Sequence, residues 1–190
     1  MKKLKVKLVG EVPLLQHNVV LANPMSEQSK ALKVAQNKGG RKKDDSNYEE
    51  IAEAEFFGGL IMDGDEYIVP PEQIEAMICA ASYGQVKISK SEAVASIFVD
   101  KPFVLTKFKG PKDPKKRFGD ANCMDQRCVC VTKNRVVRTR PMFIDWVAEG
   151  EVVYDNPFTE EKIKQVIESC QRKGIGDFRP RFGRFTAVFE

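Results

Sequence analysis

Two segments of this chain carry the same apolar stripe, and strand-like sequence flanks both. Ile74, Met77, Ile78 and Ala81 fall at the i, i+3, i+4, i+7 spacing of a helix with one buried face. Ile163, Val166, Ile167 and Cys170 repeat that spacing near the carboxyl end. Pro71 opens the first segment, where a missing N–H costs nothing, and Gly84 is expected to end it. Thr159 caps the second, Glu160 and Glu161 occupy its first turn, and Gly174 stops it behind Arg172 and Lys173. A helix striped on one side must cover a surface, so two of them predict a sheet with one face to bury.

Alternating segments supply that sheet. Residues 4–10 set Leu4, Val6 and Leu8 on one face, residues 98–109 and 129–148 read as strands, and residues 185–189 close the chain as another. Glu149-Gly150 is expected to turn, with residues 151–154 returning. Strand, helix, strand, strand, helix, strand is the ferredoxin-like order, so the predicted class is α+β: a split βαβ, RRM-like antiparallel sheet with two covering helices. The prediction is a single domain over 1–190 with insertions at about 23–70 and 107–128. The first insertion reads as a polar loop with a helix around 26–36 and a helical turn at 49–55. A hairpin follows, pairing 56–62 with 66–70 about Asp63-Gly64. Ser91 is expected to cap a short helix through Ile97, and residues 110–123 form a Pro-, Gly- and Lys-rich excursion without periodicity.

At 42% hydrophobic residues, 190 residues are enough to bury a core. No apolar run approaches the roughly 20 residues of a membrane helix. The first residues alternate charged and apolar types where a signal peptide would be continuously apolar, so the expected location is cytoplasmic. Five unevenly spaced cysteines suit reduced thiols better than a disulfide framework. Cys123, Cys128 and Cys130 are metal-ligand candidates without a fourth partner, and Cys128 and Cys130 read more simply as packed thiols on one strand face. No cofactor is predicted, because the Gly174-Ile175-Gly176 pattern lacks the strand before it and the helix after it that a dinucleotide fold requires.

The net charge of +4 decides little, but its distribution is informative. Twelve lysines and arginines lie between Lys101 and Arg140 against Asp113, Asp120 and Asp125, whereas residues 44–75 are acidic. Segregated charge of this kind suits a polyanion. The densest signal is Lys173-Gly174-Ile175-Gly176-Asp177-Phe178-Arg179-Pro180-Arg181-Phe182-Gly183-Arg184-Phe185. Glycine permits close backbone approach, arginine offers a donor fork to phosphate, and phenylalanine offers a flat face to a base. The predicted nucleic-acid contacts are Lys173, Gly174, Gly176, Arg179, Arg181 and Arg184, joined by Arg138 and Arg140 on a strand leading to Phe143 and Trp146. Lys42, Lys43, Lys115, Lys116 and Arg117 add basic loops. A carboxyl helix end repels anions, so side chains and loop amides would have to hold any phosphate near Gly174. His17 is the only histidine, and its readings are a polar strand end, a contact to phosphate or an acid–base group.

Gly10 with Pro13-Leu14-Leu15, and Gly174-Ile175-Gly176 with Phe182-Gly183-Arg184-Phe185, resemble the RAMP superfamily, the ferredoxin-like RNA-binding backbone and processing proteins of CRISPR complexes. The resemblance implies a non-catalytic protein that binds single-stranded RNA in preference to DNA and tiles along it as a homo-oligomer or with CRISPR-like subunits. A stand-alone or phage-encoded relative fits equally. Two alternatives stay open: a metal-free endoribonuclease using His17, and a viral structural or assembly protein whose basic loops meet a neighbour's acidic 44–55 segment.

Overall fold

The computed structural model describes residues 1–40, 42–131 and 134–190. Nine strands and six helices follow one another among them. They are β1 (Lys2–Gly10), β2 (Leu14–Leu15), α1 (Glu27–Asn37), α2 (Asp45–Gly59), β3 (Met62–Asp63), β4 (Glu66–Val69), α3 (Pro71–Val86) and α4 (Lys90–Ser96). Then come β5 (Ile97–Phe98), β6 (Phe103–Lys109), α5 (Pro114–Arg117), β7 (Met124–Val131), β8 (Asn134–Tyr154), α6 (Glu160–Cys170) and β9 (Phe185–Phe189). The architecture is α+β, as expected, and the strand ladders are antiparallel. The chain divides into two compact units. The first comprises Met1–Leu14, Met62–Lys109 and Ile144–Glu190; the second comprises Leu15–Ile61 and Gly110–Phe143.

The first unit is assembled on β1, which pairs with β8 on one side and β9 on the other; the strand order is β4-β6-β8-β1-β9. Leu4, Val6 and Leu8 face inward opposite Val152, Gly150 and Ala148. Helices α3 and α6 pack on each other through the predicted stripes, and the Cys170 thiol reaches the Met77 carbonyl at 3.5 Å. Ile74, Ile78, Ile163, Val166 and Ile167 are all buried, the outcome that a 3.6-residue apolar period predicts for one covered face. The start of α6 also holds, with the Thr159 hydroxyl accepting from the Lys162 amide, while the helix ends at Cys170, a turn ahead of the expected stop at Gly174.

Three boundaries in this unit differ from expectation, each for a local reason. Strand β8 runs through Glu149-Gly150 without turning, because the Phe103 ring occupies the space over Gly150, where a Cβ would lie 2.2 Å from it. Helix α3 continues past Gly84 and ends where Lys87 takes a left-handed φ of 59°. Ser89, not Ser91, caps α4, closing a capping box with Glu92. Strand β8 also carries an irregularity: its ladder with β6 slips twice between Leu105 and Lys109, and Asp145 has φ 52°. Trp146 is only 1% exposed, lies over Gly10, and donates from Nε1 to the Val12 carbonyl at 2.8 Å.

In the second unit, α1 is capped by Ser26 and packs on α2, which starts from an Asp44–Asn47 capping box. That helix continues through Phe56-Phe57-Gly58-Gly59, so the predicted hairpin keeps only its tip, which belongs to the first unit: β3 with β4 about Gly64 (φ 59°). The two glycines permit close packing: a Cβ on Gly58 would meet Leu21 at 2.6 Å, and one on Gly59 would meet Pro141 at 3.0 Å. Phe56, Phe57 and Phe118 form an aromatic cluster beneath them. Strand β7 and the first half of β8 form a two-stranded ribbon.

Gly10→Ala would push a methyl into the Trp146 indole, since a Cβ there lies 2.2 Å from Nε1. The expected loss is about 1–3 kcal/mol, the usual range for overpacking. Urea unfolding followed by tryptophan fluorescence measures it, with a shifted native emission reporting the displaced ring.

Candidate nucleic-acid interface

The segment between α6 and β9 is a loop tied to itself and to the end of β1. Gly174 accepts a left-handed φ of 72° and donates to the Cys170 carbonyl, which stops α6. Ile175 N–H then donates to the Gly183 carbonyl, Gly183 N–H to Pro13, and Glu11 N–H to Arg184, each at 2.9 Å. The two stretches that carry the family resemblance, 10–15 and 174–185, are therefore hydrogen-bonded neighbours. Gly183 has no alternative: its φ is 72°, and a Cβ would lie 1.8 Å from the Ile175 oxygen. A Cβ on Gly174 would meet the Gly183 backbone at 2.8 Å. These two glycines, expected as points of ligand approach, serve backbone-to-backbone approach within the loop; Gly176, half-buried with φ 77°, remains at its surface.

This lacing sorts the loop's side chains. Ile175, Phe182 and Phe185 turn inward, while Lys173, Arg179, Arg181 and Arg184 are exposed. None of these four cations pairs with an acid among the described residues. Phe178, held at φ 54° with its ring 6.2 Å from that of Phe182, keeps 40% of its surface exposed. Two hollows adjoin. One, of about 510 Å³, lies between α3 and the loop and gathers Lys90, Lys173 and Arg179 against the single acid Glu72. The other, of about 500 Å³, is walled by Lys173, Gly176, Asp177, Phe178, Arg179 and Pro180, so one acid stands there beside two cations. Lys90, the first residue of α4, carries no sequence signal, because only the fold brings the start of α4 to the hollow between α3 and the loop.

The other predicted contacts are placed differently. Arg117 is fully buried, donates to the carbonyls of Pro111 (3.0 Å) and Met142 (2.7 Å), and lies 4.4 Å over the Phe143 ring. It is a core residue and cannot reach a strand. Arg138 pairs with the buried Glu55, whose second oxygen accepts from the Thr139 amide at 2.8 Å. Arg140 is buried opposite Asp125, which also holds Arg127. The arginine stripe of β8 is thus interleaved with acids, and Phe143 and Trp146 are both interior, so the described β8 residues present no open platform of arginines and rings.

Lys43 caps the end of α1, donating to the Gln36, Lys38 and Gly40 carbonyls. Lys42, Lys115 and Lys116 remain exposed, and Arg41 and Lys133 lie outside the described residues. The exposed face of the first unit's sheet is also neutralised. Lys7 meets Glu149 at 2.9 Å and Lys3 meets Glu151 at 3.3 Å; the first pairing holds the Glu149 carboxyl below its usual range and raises the Lys7 amine.

His17 is exposed and lines a cavity of the second unit with Lys33, Glu55 and Arg138. Cys123 is buried, whereas Cys128 and Cys130 are exposed on β7 and not packed thiols as expected. Among the described residues no group of three or more His, Cys, Asp or Glu side chains is placed to hold a metal, and no helix is long and apolar enough to cross a membrane. Comparison of the chain with known protein families and with curated proteins finds no match.

Burial pushes the thiols of Cys79, Cys123 and Cys170 above the ordinary range. In the native protein at neutral pH, an alkylating reagent is expected to modify Cys128 and Cys130 quickly and to spare those three, as read by mass spectrometry of peptides. The unfolded chain ionises near the usual thiol value of about 8.5. The buried thiols therefore contribute stability below that pH and lose it as pH rises through their higher folded values.

Proposed function

We propose that the chain is a non-catalytic single-stranded nucleic-acid-binding protein that prefers RNA and grips phosphates with Lys173, Arg179, Arg181 and Arg184. One contrast carries the reading. Arg117, Arg127, Arg138, Lys3, Lys7 and Lys43 are committed to acids, carbonyls or the interior, whereas the loop after α6 presents four exposed cations without acidic partners among the described residues. Phe178 lies among them as a stacking surface, the combination of cation and ring that suits a flexible strand whose bases are unpaired. The loop follows a carboxyl helix end, so the attraction comes from side chains and not from the helix dipole.

The fold assigned to the first unit is the ferredoxin-like plan. Its support is the chain order β1, α3, β6, β8, α6, β9 together with the sheet order β6-β8-β1-β9 and the antiparallel sense of each ladder. Membership of the RAMP superfamily belongs to the same reading. It is supported by the hydrogen bonds from Gly183 to Pro13 and from Glu11 to Arg184, which join the two resembling stretches. Binding as one of several protomers along a strand, as a free-standing or phage-encoded protein or beside CRISPR-like subunits, follows from that membership.

Fluorescence anisotropy with labelled single-stranded RNA and DNA of matched sequence provides the test. Charge reversal at Arg179, Arg181 and Arg184 is expected to leave the melting temperature unchanged and to weaken RNA binding by more than about tenfold. Each lost phosphate contact flattens the log–log salt dependence by about 0.7, so three flatten it by about 2. A folded triple variant that binds as tightly as the parent overturns the assignment.

A further inference from the structure

The second unit contains a different charged site that the strand-binding reading does not use. Glu55 projects from α2 with only 5% of its side chain exposed, and both of its oxygens are occupied, one by Arg138 Nη1 and the other by the Thr139 amide. A buried carboxylate placed behind an arginine fixes the guanidinium and neutralises one charge while leaving the other edge of the donor fork available. Arg138 keeps 29% of its side chain exposed and lines a cavity of about 330 Å³. Around it stand Lys33 and Gln36 from α1 and His17 from the stretch before it, over Leu32. Lys33 has no acidic partner among the described residues, so positive charge exceeds negative at the cavity wall.

From this arrangement we infer that the cavity binds a phosphate group, held by the Arg138 fork and the Lys33 ammonium, with Gln36 and His17 at its rim. Phosphate is favoured because a guanidinium fork matches its oxygens two at a time and the Lys33 ammonium supplies the one positive charge left in excess once Glu55 has paired with Arg138. The volume exceeds what one inorganic anion fills and lies at the lower end for small-molecule sites. It therefore accepts a phosphate alone or one carried on a group of nucleoside size. The site is independent of the loop after α6, and either can fail without the other.

Isothermal titration of the full chain with inorganic phosphate, adenosine 5′-monophosphate and adenosine, at one fixed salt concentration, tests the inference. One molar equivalent of phosphate, of the monophosphate or of both is expected to bind, and adenosine is not. Monophosphate affinity well above that of inorganic phosphate identifies a nucleotide site, and equal affinities identify a site for the anion itself. Lys33→Glu, an exposed position with no ion-pair partner among the described residues, should leave the melting temperature unchanged and weaken binding roughly tenfold or more, about 1.4 kcal/mol. The triple charge reversal at Arg179, Arg181 and Arg184 should bind the small ligands as the parent does. The site is refuted if neither phosphate compound binds at about 10 mM, well above the millimolar range of weak ligands. It is equally refuted if adenosine binds as tightly as its monophosphate, if Lys33→Glu has no effect, or if the triple reversal abolishes binding.

Discussion

Strand β1 is hydrogen-bonded along both edges, and most of the first unit follows from that position. Its inward Val6 and Leu8 stand beside the small partners Gly150, Ala148 and Ala187, and the Phe103 ring fills the space left over Gly150. Its far end continues past Gly10 into Glu11 and Pro13, whose backbones bond to Arg184 and Gly183. The ladder between the first and last strands therefore extends into the arginine-bearing loop and fixes it. A strand at the sheet edge, with one side unpaired, would lack the second set of bonds that secures this loop.

Charge in the molecule is organised by burial as much as by sequence density. Where cations and acids alternate across adjacent strands, as Lys7 with Glu149 or Lys3 with Glu151, they meet across the ladder and neutralise the surface. Where arginines follow one another on an irregular loop, no neighbouring strand supplies the acids, and the charge remains open to solvent. Secondary structure thus separates arginines that stabilise the fold from those able to meet an external anion. Exposed ion pairs contribute little to stability, so the paired lysines of β1 matter chiefly in keeping that face from acting as a polyanion surface.

The sequence makes the helices of the first unit legible because a 3.6-residue stripe of Ile, Val, Met and Cys leaves one arrangement for the buried face. The caps at Thr159 and Pro71 are equally local and equally readable. The loop after α6 is visible as a run of Gly, Arg and Phe, but the purpose of its glycines is not. Whether Gly183 faces a ligand or the Ile175 carbonyl depends on the closed loop and not on neighbours in sequence. Arg117 shows the same limit: it follows two lysines in a polar stretch, and only the distant Met142 carbonyl and Phe143 ring draw it inside. Glu55 and Lys33 give no signal either, because their cavity joins two helices to a strand more than eighty residues further along the chain from Glu55.

A loop that satisfies its own backbone has a thermodynamic advantage as a receptor. With Ile175, Gly183 and Arg184 already hydrogen-bonded and Phe182 already sequestered, docking of a strand would immobilise side chains and not main chain. Freezing a long side chain costs about 0.5–1.5 kcal/mol, and that penalty would fall on a few lysine and arginine rotors. Much of the attraction would then survive as affinity, because the loop's main chain is already fixed before any such ligand docks.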